Sequence, residues 1–223
     1  NQNFLAPNFI FVSNSIKDTK RDKTIIEGNE RVLKARLSDS NFFWKTDLSK
    51  SFEFWNRKLK EVVLYENLGS MYDKTIRISK ISKFFSQAFN VNPSLAEQAS
   101  LLSKADLVSE MVGEFPELQG VMGGYYASEM DYPELVSKAI SEHYKPKGIL
   151  DTIPTTSLGG MLSMSDKIDT LTSFFVIDKK PSGSKDPLAL RRSASGIVQI
   201  LIGFKLKISI DELFKYSLTL HNN

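Results

Sequence analysis

The chain has 223 residues, 41% hydrophobic and 25% charged, with 29 basic against 26 acidic side chains. That is a globular composition able to bury a core, sized for one domain plus an appendage or for two small domains. A net charge of +3 permits an RNA partner without the clustered basicity of a free-standing nucleic-acid binder. The absence of cysteine excludes a disulfide framework, a thiolate zinc site and a cysteine nucleophile, and fits a cytoplasmic protein. No apolar run reaches the roughly 20 residues a membrane span needs, so no membrane partner is expected. The N-terminal Asn1-Gln2-Asn3-Phe4 lacks both a starting Met and signal-peptide order, and both ends read as cuts through a longer chain.

In chain order, Phe9 to Ser13 (FIFVS) is a short apolar run between Pro7 and Asn14 and reads as a strand. Lys17 to Lys23 reads as a loop. Between Thr24 and Leu37, Ile25, Ile26, Val32, Leu33 and Leu37 recur at helical spacings. Asn41 to Leu48 (NFFWKTDL) is aromatic-rich with weak alternation and suits a second strand. Residues 1–52 are thus expected to be an α+β segment that ends an upstream domain.

The rest reads as helical. Residues 54–89 form one long helix or two, interrupted near Gly69. Pro93, at a first-turn position, opens a helix to about Gly113. Further helices are expected over 114–128, 133–144, 157–175, 186–204 and 210–220, with Asp186 as N-cap and Pro187 at the first helical position. The fold class is mainly α, with residues 53–223 as the helical domain.

No GxxxxGKS/T phosphate loop, HExxH motif or nucleophile elbow is present. Three segments carry unusual local character. In residues 101–127, Leu102, Ala105, Val108, Met111 and Val112 share one helical face, leaving Lys104, Asp106 and Glu110 off its centre. Gly113, Gly120, Gly123 and Gly124 cost about 1 kcal/mol each in a helix interior, so their density implies close backbone approach, either helix on helix or backbone on ligand. Tight packing beneath a solvated acidic face is the plainer reading. The second set is Asp106, His143 and Asp166, which could supply three metal ligands or an acid–base group. A lone histidine at a helix C-terminus more often interacts with the helix dipole. The third is Lys179, Lys180, Lys185, Arg191 and Arg192, five cations about a loop at a helix N-terminus, where phosphate is the obvious anion. The alternative is a solvated loop whose arginines pair with neighbouring acids.

ADLVSEMVGEFPELQGVMGGYYA (105–127) and PSGSKDPLALRRSASGIVQIL (181–201) closely resemble two stretches of the glycyl-tRNA synthetase β subunit. FIFVSN (9–14), EGNERVLKARLSDSNFFWKTDL (27–48) and LYENLGSMYDKTIRI (64–78) resemble it too, almost end to end. The resemblance implies a central fragment of the β subunit of an α2β2 enzyme that joins glycine to tRNA(Gly) using ATP in the cytoplasm. The adenylate-forming site would then lie on the α subunit. The fragment would be non-catalytic by itself, with no catalytic residue, metal or cofactor of its own, contributing acceptor-side tRNA binding and subunit organisation. Its partners would be the α subunit and tRNA(Gly), not DNA. Lys104 and the Lys179 to Arg192 segment are the expected RNA contacts, and Gly113 to Gly124 a close-packing segment near the α–β interface.

Residues 53–223 also resemble the HD superfamily of metal-dependent phosphohydrolases. Ala105-Asp106 stands at the His-Asp position, His143 at a further histidine and Asp166 at the closing aspartate. Alanine supplies no ligand atom, so the resemblance implies a degenerate, vestigial HD-like domain. A residual phosphohydrolase and a structural spacer are the alternatives.

Overall fold

The computed structural model describes residues 7–14, 19–182 and 186–221. The chain divides into two compact units, Asn1–Phe42 and Phe43–Asn223. In the first, residues 8–14 have no regular secondary structure and are exposed, which corrects the strand expected at Phe9 to Ser13. Helix α1 (Thr19–Leu48) follows. It covers both the helix expected over 24–37 and the strand expected over 41–48. In the latter, Asp47 is buried and Phe43, Trp44, Thr46 and Leu48 are half-buried. Positions i, i+1, i+4 and i+5 share a helical face, so the aromatic run follows a 3.6 period and not a period of two. Among the described residues there is no strand, and the α+β character expected for residues 1–52 is not found.

The second unit is mainly α: α2 (Phe52–Lys58), α3 (Met71–Phe85), α4 (Pro93–Leu102), α5 (Glu110–Glu114), α6 (Val121–Glu129), α7 (Glu134–Glu142), α8 (Ser157–Val176), α9 (Leu190–Gly203) and α10 (Ile210–Thr219). Short 3-10 turns at Ala105–Val108 and Pro116–Leu118 flank α5. The local signals are capping residues. Ser70 and Asp73 form a reciprocal capping box on α3, Asn92 caps α4 ahead of Pro93, and Thr156 caps α8. The break near Gly69, where φ is +76°, separates α2 from α3. Helix α9 starts later than the sequence suggests. Ala189, in the left-handed region, precedes it, while both Asp186 carboxylate oxygens accept the Leu190 and Arg191 N–H groups.

Helix α8 is the axis of this unit. Leu158 through Asp169 are all buried, and α3, α4, α7, α9 and α10 pack around it. A helix enclosed on every side has no polar face to spare, so its carboxylates must find cations inside. A second focus is aromatic. Tyr126 of α6 stacks on Trp44 at 5.2 Å between ring centres and lies 5.0 Å from Trp55, which meets Phe52 edge-on. In α7, Leu135 is half exposed, whereas Val136, Ala139 and Ile140 are fully buried.

Candidate functional site

The residues singled out around Ala105, Asp106, His143 and Asp166 converge beside α8, and Lys104 joins them. Its ammonium is 2.8 Å from Asp166 Oδ2 and 2.9 Å from His143 Nε2, and sits 3.8 Å from the centre of the Tyr144 ring. Lys104 is 1% exposed and His143 fully enclosed. His143 Nδ1 faces the Ile140 carbonyl, which only accepts, so Nδ1 carries the ring proton and Nε2 offers its lone pair to Lys104. Burial, reinforced by the Lys104 charge, holds the His143 pKa well below the ordinary histidine value. Neutral imidazole accepting from ammonium is the consistent state.

Asp166 is the anion of the centre. Burial pushes its carboxyl up, but Lys104 and Lys74 together outweigh that and hold it well below the usual carboxylate range. Lys74 Nζ is 2.9 Å from Asp166 Oδ1, close enough for an ion pair although its angle falls short of a hydrogen bond. One turn on, Asp169 receives Arg77 Nε at 2.6 Å and Lys74 at 3.1 Å. These charges from α3 and the α4–α5 connection thus tie the middle of α8 to both neighbours. Lys74, Arg77 and Asp169 carry no local sequence signal, because their pairing joins residues more than ninety positions apart.

Asp106 has a different role. Its Oδ2 accepts the Gly120 and Gly123 N–H groups at 2.6 and 2.9 Å, capping α6 from a distant segment, while Oδ1 has no hydrogen-bond partner. Burial, opposed by those two bonds and by Lys104, pushes its pKa up to about 6. The solvated acidic face expected for this segment is corrected accordingly: Asp106 is fully buried in a 3-10 turn, so it does not share a helical surface with Glu110. The glycines explain themselves similarly. A Cβ on Gly124 would stand 2.6 Å from Ser141 Cβ and 2.8 Å from the Ser137 carbonyl, and one on Gly123 would stand 2.9 Å from Ile140. Close approach is helix on helix, α6 on α7; at Gly113 nothing lies within 4 Å.

Asp47, which the sequence reading passed over, is 1% exposed and accepts the Glu110 and Met111 N–H groups at 2.9 and 3.0 Å and the Tyr126 hydroxyl at 2.6 Å. It caps α5 from the end of α1.

The cations expected to meet RNA differ in exposure. Lys179 and Lys180 are exposed beyond the end of α8, with Lys180 paired 2.6 Å from Asp178. Arg191 and Arg192 are exposed on the first turn of α9, and neither guanidinium makes an ion pair among the described residues. Lys185 lies outside the described residues. Lys104 is internal. Among the described residues, no group of three or more histidine and acidic side chains is placed to hold a metal ion; Lys104 instead contacts His143 Nε2 and Asp166 Oδ2.

Among the described residues the frame is helical and its central charges are internally matched, and the comparisons with known proteins say what the chain is similar to. The model of the glycyl-tRNA synthetase β subunit family matches residues 1–223, and the chain belongs to that family. It is 45% identical over 208 residues to the glycine–tRNA ligase β subunit of Pseudomonas fluorescens SBW25, covering 93% of this chain and 30% of that protein. The β subunit from Coxiella burnetii Dugway is 47% identical over 206 residues, covering 92% and 30%, and that of Pseudomonas savastanoi pv. phaseolicola 45% over 215, covering 96% and 31%. The chain therefore spans about 30% of the length of these relatives. No described helix is long and apolar enough to cross a membrane.

Proposed function

We propose that this chain is the central part of a glycine–tRNA ligase β subunit, acting in the cytoplasm to bind the acceptor side of tRNA(Gly) and to organise the assembly. Activation of glycine with ATP belongs to an α-subunit partner. The single observation that carries the RNA role is the pair of guanidiniums on the first turn of α9, exposed and free of ion pairs among the described residues, with Lys179 and Lys180 also exposed. Arginine without an internal partner is the side chain best shaped for a phosphate oxygen pair. Lys104 is left out of the RNA face, because its ammonium is committed to Asp166 and His143.

Filter binding of tRNA(Gly) by the intact protein tests this reading. Lys179→Ala/Lys180→Ala/Arg191→Ala should weaken binding about tenfold or more and flatten the salt dependence by roughly one unit of slope per lost contact. Equal affinity at low salt would remove the RNA role.

Residues 53–223 support a second, architectural reading, a domain on a degenerate HD frame. The juxtaposition of Asp106, His143 and Asp166 about one centre favours it, and the Lys104 ammonium in their midst disfavours residual phosphohydrolase activity. Phosphodiesterase turnover dependent on added Mn²⁺ would overturn the silent reading.

A further inference from the structure

A cleft of about 400 Å³ opens beside the Lys104 centre, between the turn after α7, the middle of α8 and the start of α9. Lys147, Lys167 and Arg192 line it, with Tyr144 at its base and Asp166 as its one lining acid. That acid is already matched by Lys104 and Lys74. The remaining field in the cleft is positive.

The three cations are held differently. Lys167 is 7% exposed, and its ammonium is pinned by Ser163 Oγ at 2.8 Å and the Lys145 carbonyl at 3.0 Å. Its stem passes over Gly196, where a Cβ would stand 2.6 Å away, so α9 closes onto the lysine. Burial, partly offset by Asp166, lowers its pKa to about 8, which leaves it largely charged at neutral pH. Lys147 and Arg192 are exposed and make no ion pair among the described residues. Two acids stand nearby and both are occupied: Asp151 accepts the Lys147 and Thr152 N–H groups, and Asp186 the Leu190 and Arg191 N–H groups.

A forked guanidinium and a mobile ammonium over a fixed, buried third cation are suited to a compact oxyanion with several acceptors. The volume is in the range of small-ligand sites. We propose that this cleft binds one phosphate group of a nucleotide, with Arg192 and Lys147 as direct donors and Lys167 setting the potential. Arg192 is shared with the RNA face proposed above, whereas Lys179, Lys180 and Arg191 do not line the cleft. The phosphate could come from a free mononucleotide or from the 5′ end of an RNA strand, and the two sources separate by experiment.

The test is calorimetric titration of the intact protein with AMP, with adenosine, and with one short oligoribonucleotide carrying or lacking a 5′-phosphate. At least one phosphorylated probe should bind about tenfold or more tighter than its unphosphorylated counterpart, and inorganic phosphate should compete. Binding of AMP identifies a free-nucleotide site, and binding of the phosphorylated strand alone identifies a chain-end site. Lys147→Ala/Arg192→Gln should abolish the preference with unchanged thermal unfolding, and the remote Lys138→Ala should retain it. No preference for any phosphorylated probe, or a preference that survives Lys147→Ala/Arg192→Gln, overturns the proposal. Loss of tRNA binding in Lys179→Ala/Lys180→Ala has no bearing on it, so the two ideas fail separately.

Discussion

The Lys104 ammonium lies 2.9 Å from His143 Nε2 and 2.8 Å from Asp166 Oδ2, so one side-chain cation occupies the lone pairs that a divalent ion would need. The charge is supplied covalently by the chain and does not depend on solution metal. Removing it leaves Asp166 buried against Lys74 alone, and His143 without its donor. Breaking a buried pair by deleting one partner costs about 3–5 kcal/mol, and the remaining Lys74 contact places Lys104→Met near the lower end. Urea unfolding of wild type and variant measures this; a difference below about 1 kcal/mol, the worth of an exposed pair, would mean that the contact is not sustained in solution.

Asp106 predicts a pH dependence. Its folded pKa of about 6 exceeds the ordinary 3.8, so over that window the folded chain holds a proton that the unfolded chain has released. Stability from this group is therefore lost as pH rises from about 4 to about 6, by roughly 3 kcal/mol at most. Asp106→Asn keeps an acceptor for Gly120 and Gly123 but does not ionise. Its stability relative to wild type should rise between pH 4.5 and pH 7.5. A gap independent of pH would show that Asp106 titrates normally.

Two glycines of one segment should respond oppositely. Gly124→Ala drives a methyl to within 2.8 Å of the Ser137 carbonyl and should cost about 1–3 kcal/mol by forcing α6 from α7. Gly113→Ala meets open space in α5 and should be neutral or stabilising by up to about 1 kcal/mol. Thermal unfolding of both variants checks the pair, and equal effects would be evidence against the α6–α7 approach.

Asp47→Ala should cost about 2–3 kcal/mol, since it strips acceptors from the Glu110 and Met111 N–H groups and from the buried Tyr126 hydroxyl. Tyr126→Phe in the Asp47→Ala background should then recover part of the loss. A double variant less stable than Asp47→Ala would contradict the hydroxyl–carboxylate bond.

These examples also show what a linear reading can and cannot see. Helical periodicity and caps such as Asn92-Pro93 are local, and α7, α8, α9 and α10 match the ranges expected from such signals to within a few residues. The aromatic run Phe42-Phe43-Trp44 carries no such signal, since aromatics favour strands unless a core happens to meet them at helical spacing. The break of the helix expected over 93–113 is non-local, set by a carboxylate at 106 that caps a helix beginning at 121. Lys104 was expected on the surface because lysines are rarely enclosed unless paired, and its partners lie 39 and 62 positions away. Asp106, His143 and Asp166 stand out as a set in the sequence and again in the HD resemblance; the cation among them does not.

The most direct test of Lys104 as the cation of this centre is elemental analysis of the intact protein, purified in the presence of Mn²⁺ and Zn²⁺ and then desalted. Well under one metal ion per chain is expected, with thermal unfolding unchanged by EDTA. A stoichiometric ion that is lost in His143→Ala would contradict the assignment.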